Sequence, residues 1–249
     1  MEVLGIDIGG SGIKGAPVDI DTGKLVARRH RLETPRPATP QAVADSAGQL
    51  ARTFSWDGPV GCAMPSAVHD GVALTAANID RSFIGCDVEA LFEAAIGSSV
   101  PVINDADAAG MAEMAFGAGQ GEDGVVLVLT FGTGIGSALF TGGHLVPNTE
   151  LGHLQLDGED AERRASERAR LRQNLSWADW TARVNRYLSA VEALLFPDLI
   201  VIGGGASNKA DKFTGRLRSR ARLVPAAFRN QAGILGAALA GAQAPALVG

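Results

Sequence analysis

Cysteine is scarce in this chain, with only Cys62 and Cys86 among 249 residues. Two isolated cysteines form neither a CxxC pair nor a disulfide framework, so we expect a reduced, cytoplasmic setting. Apolar runs are short, and none reaches the roughly 20 residues that a membrane-spanning helix needs. No basic leader followed by an apolar core opens the chain, so we expect no signal peptide and no membrane association.

Basic residues are also fewer than acidic residues. The 22 Lys and Arg residues stand against 27 Asp and Glu residues, giving a formal charge of −5, which argues against a general nucleic-acid binder. Glycine is abundant, at 32 residues, and many of these lie in short clusters between apolar runs. The composition is 46% hydrophobic and 20% charged, as in a globular protein of one large or two small domains.

The first glycine cluster lies in a predicted hairpin. Val3 to Ile8 predicts a strand, Ile13 to Val18 a second, and Leu25 to Leu32 a third, which makes a meander. A glycine-rich turn leaves backbone N–H groups accessible to phosphate oxygens. Asp7 is then placed to hold a hydrated Mg²⁺ and Lys14 to neutralise phosphate charge. The turn residues are Gly9, Gly10, Ser11 and Gly12. The chain has no Walker A motif, and a glycine-rich hairpin alone is more often structural.

The segment Val125 to Phe140 repeats this pattern of strand, Gly/Thr turn and strand. The repeat predicts an internal duplication. Its candidate phosphate-binding residues are Thr130, Gly132, Thr133 and Gly134. A third cluster, Gly203, Gly204 and Gly205, follows the buried strand Leu199 to Ile202 and is a further candidate for holding phosphate.

Between the two hairpins, a predicted strand from Val100 to Ile103 stops at Asn104, Asp105 and Asp107 and opens an alanine-rich helix. Ligands of open α/β sheets bind at such strand ends. Asn104 can hydrogen-bond a substrate, and Asp105, expected to stay ionised at a helix start, can receive the proton of a hydroxyl. The alternative is that Asp105 or Asp107 only caps the helix.

Other polar residues suit the binding of hydroxyl groups. Glu150 and His153 are three residues apart and can hydrogen-bond vicinal hydroxyls of a sugar, and Asn78 in a polar loop is a candidate substrate contact. Zinc is the competing ligand for His153, but no cysteine lies near it and a single histidine seldom makes a site. The charged stretch from Glu159 to Gln173 predicts a solvated helix.

The last third of the chain adds a long helix and a basic stretch. Ser176 and Asp179 predict a capping box, and the apolar stripe from Trp177 to Leu195 predicts core or dimer packing. Lys209 to Arg222 contains six basic residues against one acid, Asp211, and is either an anion track or a solvated face. Lys209 and Lys212 are its candidate phosphate-binding residues. Gln231 to Ala242 predicts a final helix.

Five motifs in this order resemble the ROK-family sugar kinases (repressor, open reading frame, kinase). The resemblance implies an α/β, actin-like ATPase (ribonuclease H-like) fold of two domains around a central cleft. The implied domains are residues 1–105, with a C-terminal helix at 231–249 returning to them, and residues 106–230. The motifs are Gly5 to Ser11 with Lys14, Asn104 to Ala109, Phe131 to Gly136, Glu150 to His153, and Ile202 to Gly205.

The resemblance also implies residue roles. Asp105 is the base toward the sugar 6-hydroxyl, the glycine turns hold phosphates, and Asn104, Glu150 and His153 bind sugar hydroxyls. Typical members follow the histidine with a cysteine-rich zinc loop, whereas Leu154 to Ser166 contains no cysteine. The zinc function is therefore not carried over.

The cysteine-free segment is similar to the polyphosphate glucokinase branch of the family, which includes glucomannokinases. Glu162 then stands in for the family's second sugar-binding glutamate. The implied activity is transfer of a phosphoryl group from inorganic polyphosphate to the 6-hydroxyl of glucose. Separately from the resemblance, we expect Mg²⁺ at Asp7, a cytoplasmic setting from the two cysteines, and a homodimer formed through the Trp177 to Leu195 region. A strictly ATP-dependent glucokinase and a glucomannokinase that also accepts mannose stay open as alternatives.

Two readings from other classes are disfavoured. A sugar-responsive repressor of this family carries a helix-turn-helix ahead of the kinase-like part, for which a strand beginning at Val3 leaves no room. A non-catalytic sugar-binding module does not need Asp7, Lys14 and Asp105 together.

Overall fold

The computed structural model describes residues 1–243. These divide into two compact units, Met1–Ala112 together with the segment from Gln231, and Glu113–Asn230. The division falls after Ala112 and not at 105, within the helix that runs from Asp105 to Phe116. The expected C-terminal helix is described as far as Gln243, and residues 244–249 lie outside the described residues.

Strands and helices alternate along the chain, which confirms the predicted α/β class. In chain order the elements are β1 (Glu2–Gly9), β2 (Gly12–Asp19), β3 (Lys24–Leu25), β4 (His30–Leu32), α1 (Pro40–Thr53), β5 (Val60–Met64), β6 (Val68–His69), β7 (Val72–Ala73), α2 (Val88–Ile96), β8 (Val102–Asn104), α3 (Asp105–Phe116), β9 (Val125–Phe131), β10 (Ile135–Thr141), β11 (His144–Val146), β12 (Gln155–Leu156), β13 (Glu159–Asp160), α4 (Ala161–Ala165), α5 (Glu167–Arg172), α6 (Trp177–Leu195), β14 (Leu199–Gly203), β15 (Arg222–Pro225) and α7 (Ala232–Gln243).

The first unit is built on a six-stranded sheet in the order β3-β2-β1-β5-β8, with β4 also paired to β2. The strands β1 and β2 form an antiparallel hairpin, whereas β1, β5 and β8 run parallel. The predicted hairpin is thus confirmed. The single strand predicted over Leu25 to Leu32 is wrong, because residues 26–29 are irregular and leave two short strands that both pair with β2.

The helices α1 and α2 of this unit begin at the capping residues that their sequences indicate. The Thr39 side chain accepts from the N–H of Ala42 at the start of α1, with Pro40 in the first turn. Asp87 does the same for Ala90 at the start of α2, and Gly97, at φ 91°, ends that helix. These caps satisfy backbone groups that a helix end otherwise leaves without partners.

The last helix, α7, packs on β1 and β5. A Cβ built on Gly61 would lie 1.9 Å from the carbonyl oxygen of Ala237, so the helix can approach the sheet this closely only over a glycine. The apolar residues of α7, including Ile234 and Leu235, are fully buried. This contact anchors the end of the described chain to the first unit.

The second unit has a five-stranded sheet in the order β11-β10-β9-β14-β15. Its hairpin β9–β10 is antiparallel, and β9, β14 and β15 are parallel. Strand by strand, β9 and β10 correspond to β1 and β2, β14 to β5, and β15 to β8. The two sheets therefore share one topology, which confirms the internal duplication predicted from the repeated hairpin.

The long helix α6 supplies much of the core of the second unit. Ser176 caps it as predicted, because its hydroxyl accepts from the N–H of Asp179 at 3.1 Å and donates to the Asp179 carboxylate at 2.6 Å. Trp180, Val184 and Leu188 are fully buried in this core. The stripe is therefore core, and these side chains present no surface for dimer packing.

The prediction of one solvated helix over Glu159 to Gln173 is wrong. The stretch forms two short helices, α4 and α5, and Ala161, Ala165 and Ala169 are buried beneath the exposed arginines. Across residues 1–243, none of the helices has both the length and the apolar character needed to span a bilayer.

Candidate functional site

The first glycine turn carries a cation on its own hairpin. Gly9 pairs with Gly12, which leaves Gly10 and Ser11 at the tip, and Asp7 faces Lys14 across the two strands. The Lys14 Nζ lies 3.2 Å from the Asp7 Oδ2, and both side chains are largely shielded from solvent. The ion pair therefore holds the ammonium group beside the turn.

Arg31 adds a second cation that the sequence analysis missed. Strand β4 places it opposite Lys14, and its guanidinium donates to the carbonyl oxygen of Ser11 at 2.6 Å. A Cβ built on Gly12 would lie 2.5 Å from the Arg31 Nε, so the guanidinium lies directly on the turn. The sequence shows a basic run at residues 28–31, but only the pairing of β4 with β2 identifies which member reaches the turn.

Asn78 lies against the same turn. A Cβ built on Gly10 would be 2.7 Å from the Asn78 carbonyl oxygen, and Asn78 itself is exposed in the left-handed region, at φ 61°. Asparagine tolerates this conformation better than most residues. The structure thus brings a predicted sugar contact next to the predicted phosphate turn within the first unit.

At the end of β8, the helix cap is Asn104 and neither Asp105 nor Asp107. The Asn104 Oδ1 accepts from the N–H groups of Ala106 at 2.8 Å and Asp107 at 3.1 Å, and its Nδ2 donates to the carbonyl oxygen of Ser66 at 3.2 Å. The reading in which Asp105 or Asp107 caps the helix is therefore wrong. Asp105 is the first residue of α3 and is partly exposed, whereas Asn104 is buried.

The phosphate turn and Asp105 share one edge of the first sheet. Asp7 pairs with Ala63 on β5, and Ala63 pairs with Ile103 on β8. Two strand spacings separate Asp7 from Ile103, roughly 10 Å. Because β1, β5 and β8 are parallel, their carboxyl ends, where open α/β sheets bind ligands, lie together.

The second glycine turn has a carboxylate on it. The N–H of Gly132 donates to the carbonyl oxygen of Gly134 at 3.0 Å and closes the turn. The Glu162 Oε2 accepts from the N–H of Ile135 at 3.2 Å, and a Cβ built on Gly134 would lie 2.3 Å from that oxygen. The structure thus brings Glu162, from α4, to the predicted turn.

The third glycine cluster packs on the same turn. Gly203 pairs with Thr130, and Gly204, at φ 79°, lies against the backbone of Phe131. The Glu167 carboxylate, which the sequence analysis missed, lies 2.5 Å from a Cβ built on Gly205. The predicted residues from Thr130 to Gly134 and from Gly203 to Gly205 therefore form one group in the second unit.

The loop that carries Glu150 and His153 is tied to β10. The N–H of Leu151 donates to the Ser137 hydroxyl at 3.0 Å, and a Cβ on the buried Gly152 would lie 2.2 Å from the carbonyl oxygen of Ile135. The Glu150 Oε2 is 4.0 Å from the His153 Nε2. Burial raises the pKa of Glu150, the charge of Glu162 raises it further, and His153 opposes both. Glu150, His153 and Glu162 therefore gather in one electrostatically coupled group.

Asp160 orients the imidazole of His153, and the sequence analysis missed it. The two side chains meet at 3.1 Å between His153 Nδ1 and Asp160 Oδ2, and Gln155 donates to the other oxygen of the same carboxylate. This hydrogen bond raises the pKa of His153 and lowers that of Asp160. A carboxylate on Nδ1 fixes the ring and leaves Nε2 to face Glu150.

Lys209 and Lys212 lie on the 3₁₀ segment Gly205–Lys212, where both are exposed and Lys212 pairs with Asp211 at 3.5 Å. Two arginines of the same basic stretch are engaged elsewhere. Arg220 donates to the Glu192 carbonyl oxygen at 3.2 Å, and Arg222 pairs with Glu122. The stretch from Lys209 to Arg222 is therefore not a continuous row of unpaired cations.

Within residues 1–243 there is no group of three or more His, Cys, Asp or Glu side chains arranged to hold a metal ion. Asp7 offers one carboxylate beside the first turn, with one of its oxygens on Lys14. Mg²⁺ commonly uses one or two carboxylates and completes its shell with waters and substrate phosphates. A single carboxylate beside a phosphate turn fits that mode of binding.

Comparison with known proteins finds sugar kinases among the relatives of this chain. The sequence model of the ROK family matches residues 3–167. The chain is 49% identical over 238 residues to a polyphosphate glucokinase of Mycobacterium tuberculosis (strain CDC 1551 / Oshkosh), covering 95% of this chain and 90% of that protein. It is 33% identical over 163 residues to a glucokinase of Streptomyces coelicolor, covering 61% and 49%.

Solved structures agree in fold. An inorganic polyphosphate/ATP-glucomannokinase from Arthrobacter sp. strain KM superposes with a TM-score of 0.93 at 49% identity, covering 97% of this chain and 98% of that one. A ROK-family glucokinase from Streptomyces griseus, solved with glucose and AMPPNP, gives a TM-score of 0.84 at 24% identity over 98% of this chain and 100% of that one. The actin-like sugar-kinase fold predicted from the motifs is confirmed.

Proposed function

This chain belongs to the ROK family, and from that premise we propose that it transfers a phosphoryl group from inorganic polyphosphate to the 6-hydroxyl of glucose, giving glucose 6-phosphate. The observation that carries the proposal is the 49% identity to a polyphosphate glucokinase over 95% of the chain. The strand-end position of Asp105 on the edge of the first sheet supports it independently. We also propose that the two compact units are the two domains of the kinase.

Asp105 acts as the base. The glucose 6-oxygen attacks the terminal phosphorus, its proton passes to the Asp105 carboxylate, and the shortened polyphosphate leaves. Phosphoryl transfer depends mainly on positioning and charge neutralisation, so a weakly basic carboxylate suffices. The cap made by Asn104 supports this role, because Asn104 and not Asp105 satisfies the first N–H groups of α3.

In the first unit, Asn78 and Asn104 bind sugar hydroxyls. In the second unit, Glu150, His153 and Glu162 bind sugar hydroxyls. Asn104 already uses Oδ1 for the cap and one N–H for Ser66, so its second amide hydrogen serves the sugar. Asp160 is a positioning residue that holds the His153 ring through Nδ1.

The donor is held by backbone N–H groups and cations. On the first unit these are the turn Gly9, Gly10, Ser11 and Gly12 with Lys14, and we add Arg31 for its contact with the turn. On the second unit they are Thr130, Gly132, Thr133, Gly134, Gly203, Gly204 and Gly205, with Lys209 and Lys212 reaching further along a long chain. Asp7 would hold Mg²⁺ through water, and the ion when bound supplies neutralisation of phosphate charge.

Use of ATP as a second donor and of mannose as a second sugar are the open parts of the proposal. They rest on the name of the 49% identical Arthrobacter enzyme, a polyphosphate/ATP-glucomannokinase. We also propose a homodimer. The cytoplasmic setting expected from the two isolated cysteines stays a prediction.

A matrix of donors against sugars tests the proposal. Initial rates are measured with long-chain polyphosphate and with ATP, each on glucose and on mannose, at matched Mg²⁺. We expect polyphosphate with glucose to be turned over without any nucleotide. Activity with ATP but none with polyphosphate would contradict the proposal and would identify the protein as a strictly ATP-dependent glucokinase.

Variants that remove the positive charge of single lysines then locate the path of a long polyphosphate chain. Lys209→Gln and Lys212→Gln should raise the KM for long polyphosphate more than the KM for ATP. An equal loss with both donors would remove these two lysines from the path.

A further inference from the structure

A cavity lies in the second unit, between α4, α6 and the hairpin β12–β13. Its volume is about 210 Å³. That is smaller than the roughly 300–1,000 Å³ of sites for drug-sized ligands, so it suits a compact molecule. Ala161, Ala165 and Tyr187 contribute apolar lining, and Arg164, Arg183 and Arg186 contribute charge.

Tyr187 lines this cavity and is fully buried. In the part of the chain that the structure describes, its hydroxyl has no hydrogen-bond partner. Burial raises the pKa of Tyr187, and the nearby carboxylate of Glu162 raises it further, so the group stays a neutral donor. A buried hydroxyl with no partner is uncommon in folded proteins, and a water or ion bound to it is one of the recognised explanations.

Two of the arginines already hold a carboxylate. Arg164 and Arg186 lie 3.2 Å and 3.3 Å from the two oxygens of Asp157. Asp157 reaches them from the tip of its hairpin, in the left-handed region at φ 54°. Glu159 lies further from Arg164, at 4.0 Å. Arg164 and Arg186 are therefore both occupied by a carboxylate of the protein itself.

Arg183 differs from the other two arginines. Its guanidinium donates to the Gln173 side-chain oxygen at 2.8 Å and to the carbonyl oxygen of Arg164 at 3.3 Å. Both acceptors are neutral, and no ion pair of the described residues includes Arg183. A guanidinium beside an apolar cavity and without a carboxylate partner is suited to bind phosphate or carboxylate.

We propose that this cavity binds a small organic anion, a phosphate or carboxylate on a compact apolar body. The anionic group contacts Arg183 and accepts a hydrogen bond from the Tyr187 hydroxyl, and the apolar body packs on Ala161 and Ala165. None of the residues proposed for sugar or donor binding lines the cavity. The proposal is therefore independent of phosphoryl transfer.

Isothermal titration calorimetry with four probes tests the ligand class. Phenyl phosphate and benzoate carry both features, inorganic phosphate lacks the apolar body, and benzyl alcohol lacks the charge. We expect the first two to bind at least tenfold more tightly than the last two. Equal affinity for phenyl phosphate and inorganic phosphate would overturn the proposal, since it would show binding of phosphate alone.

Variants assign the binding to this cavity. Arg183→Gln should weaken phenyl phosphate at least tenfold, Arg183→Lys should restore part of the loss, and Tyr187→Phe should weaken it with the fold intact. Arg172→Gln, at an exposed arginine of α5, is the matched control and should change nothing. Lys14→Gln should also leave the affinity unchanged, which separates this cavity from the donor turn.

A crystal structure with phenyl phosphate completes the test. Density for the probe beside Arg183 supports the proposal. A water molecule alone on the Tyr187 hydroxyl, or an acidic side chain from a second copy of the chain in the cavity, would overturn it. Unchanged affinity in Arg183→Gln would do the same.

Discussion

The two glycine hairpins share one topology but carry opposite charges. The turn at Gly10 and Ser11 is flanked by Lys14 and Arg31, whereas the Glu162 carboxylate lies on the turn at Gly132 to Gly134 and the Glu167 carboxylate lies against Gly205 of the neighbouring cluster. Duplication therefore preserved the backbone and not the electrostatics. Side-chain cations favour phosphate at the first turn, whereas at the second turn backbone N–H groups favour phosphate and the Glu162 carboxylate favours hydroxyl groups.

The strands next to these hairpins differ in the same way. Strand β8 ends in Asn104 and continues directly into Asp105 of α3, while its counterpart β15 ends in Pro225. Only β8 is therefore followed directly in sequence by a carboxylate, whereas the carboxylate near the end of β15 is that of Glu113, which accepts from the N–H groups of Ala227 and Phe228. That asymmetry supports the proposed role of Asp105 as the base.

Loss of both cations at the first turn should have the largest effect on donor binding. Lys14→Gln combined with Arg31→Gln should raise the donor KM by roughly 10- to 100-fold, since each charge-assisted hydrogen bond is worth about 1.5–3 kcal/mol in favourable settings and less when exposed. The KM for glucose should change little. Steady-state kinetics with each substrate varied in turn measures both constants.

Arg28→Gln is the matched control for this pair of substitutions, because it removes an exposed arginine from the same basic run. A rise in the glucose KM equal to that in the donor KM would contradict the division of roles between the hairpins.

At the second turn, loss of a charge should raise the KM for glucose more than the KM for the donor. Glu162→Gln keeps the size of the side chain but removes its charge, and should raise the glucose KM by roughly tenfold with a smaller change in the donor KM. Glu159→Gln, on the preceding strand β13, serves as control. If Glu162→Gln instead lowered the donor KM and left glucose untouched, the carboxylate would act only by repelling phosphate.

A smaller effect is expected from Asp160→Asn. The hydrogen bond from Asp160 is the largest cause of the raised pKa of His153, so the variant should lower that pKa and raise the glucose KM severalfold. The proton resonances of the His153 ring, followed by NMR against pH, measure the shift. Asp157→Asn, on the same hairpin but bonded to arginines, is the control.

The same pair predicts a pH dependence of stability. A raised histidine pKa stabilises the fold below the ordinary value near 6.5, and this contribution is lost as the pH rises through the raised value. The lowered pKa of Asp160 stabilises the fold above about 3.9 and is lost as the pH falls. The wild type should therefore have a higher melting temperature than Asp160→Asn between about pH 3.9 and pH 6.5. The difference in melting temperature should become smaller above neutral pH. A gap that widened there would contradict the assignment.

The elements with local signals could be read from the sequence. The caps at Thr39, Asp87 and Ser176 were predictable because the capping side chain and the N–H that it accepts from are three residues apart. The repeated hairpin was predictable because strand and turn patterns recur in order. The family motifs then gave Asp105, Glu150 and His153 their expected roles.

Contacts across long stretches of chain could not be read in this way. Arg31 reaches a turn 20 residues earlier, and Glu162 reaches an N–H 27 residues earlier. Both depend on strand register and on the placement of α4, for which composition carries no signal. The cap at Asn104 was misassigned because asparagine and aspartate are about equally good at this position.

The most direct test of the account is phosphorus NMR of glucose with polyphosphate and Mg²⁺ in the absence of nucleotide, comparing the wild type with Asp105→Asn. We predict that the wild type forms glucose 6-phosphate and that the variant does so about 10²- to 10⁴-fold more slowly, with its fold and glucose binding retained. Equal rates for the two proteins, or no sugar phosphate from the wild type without nucleotide, would contradict the account.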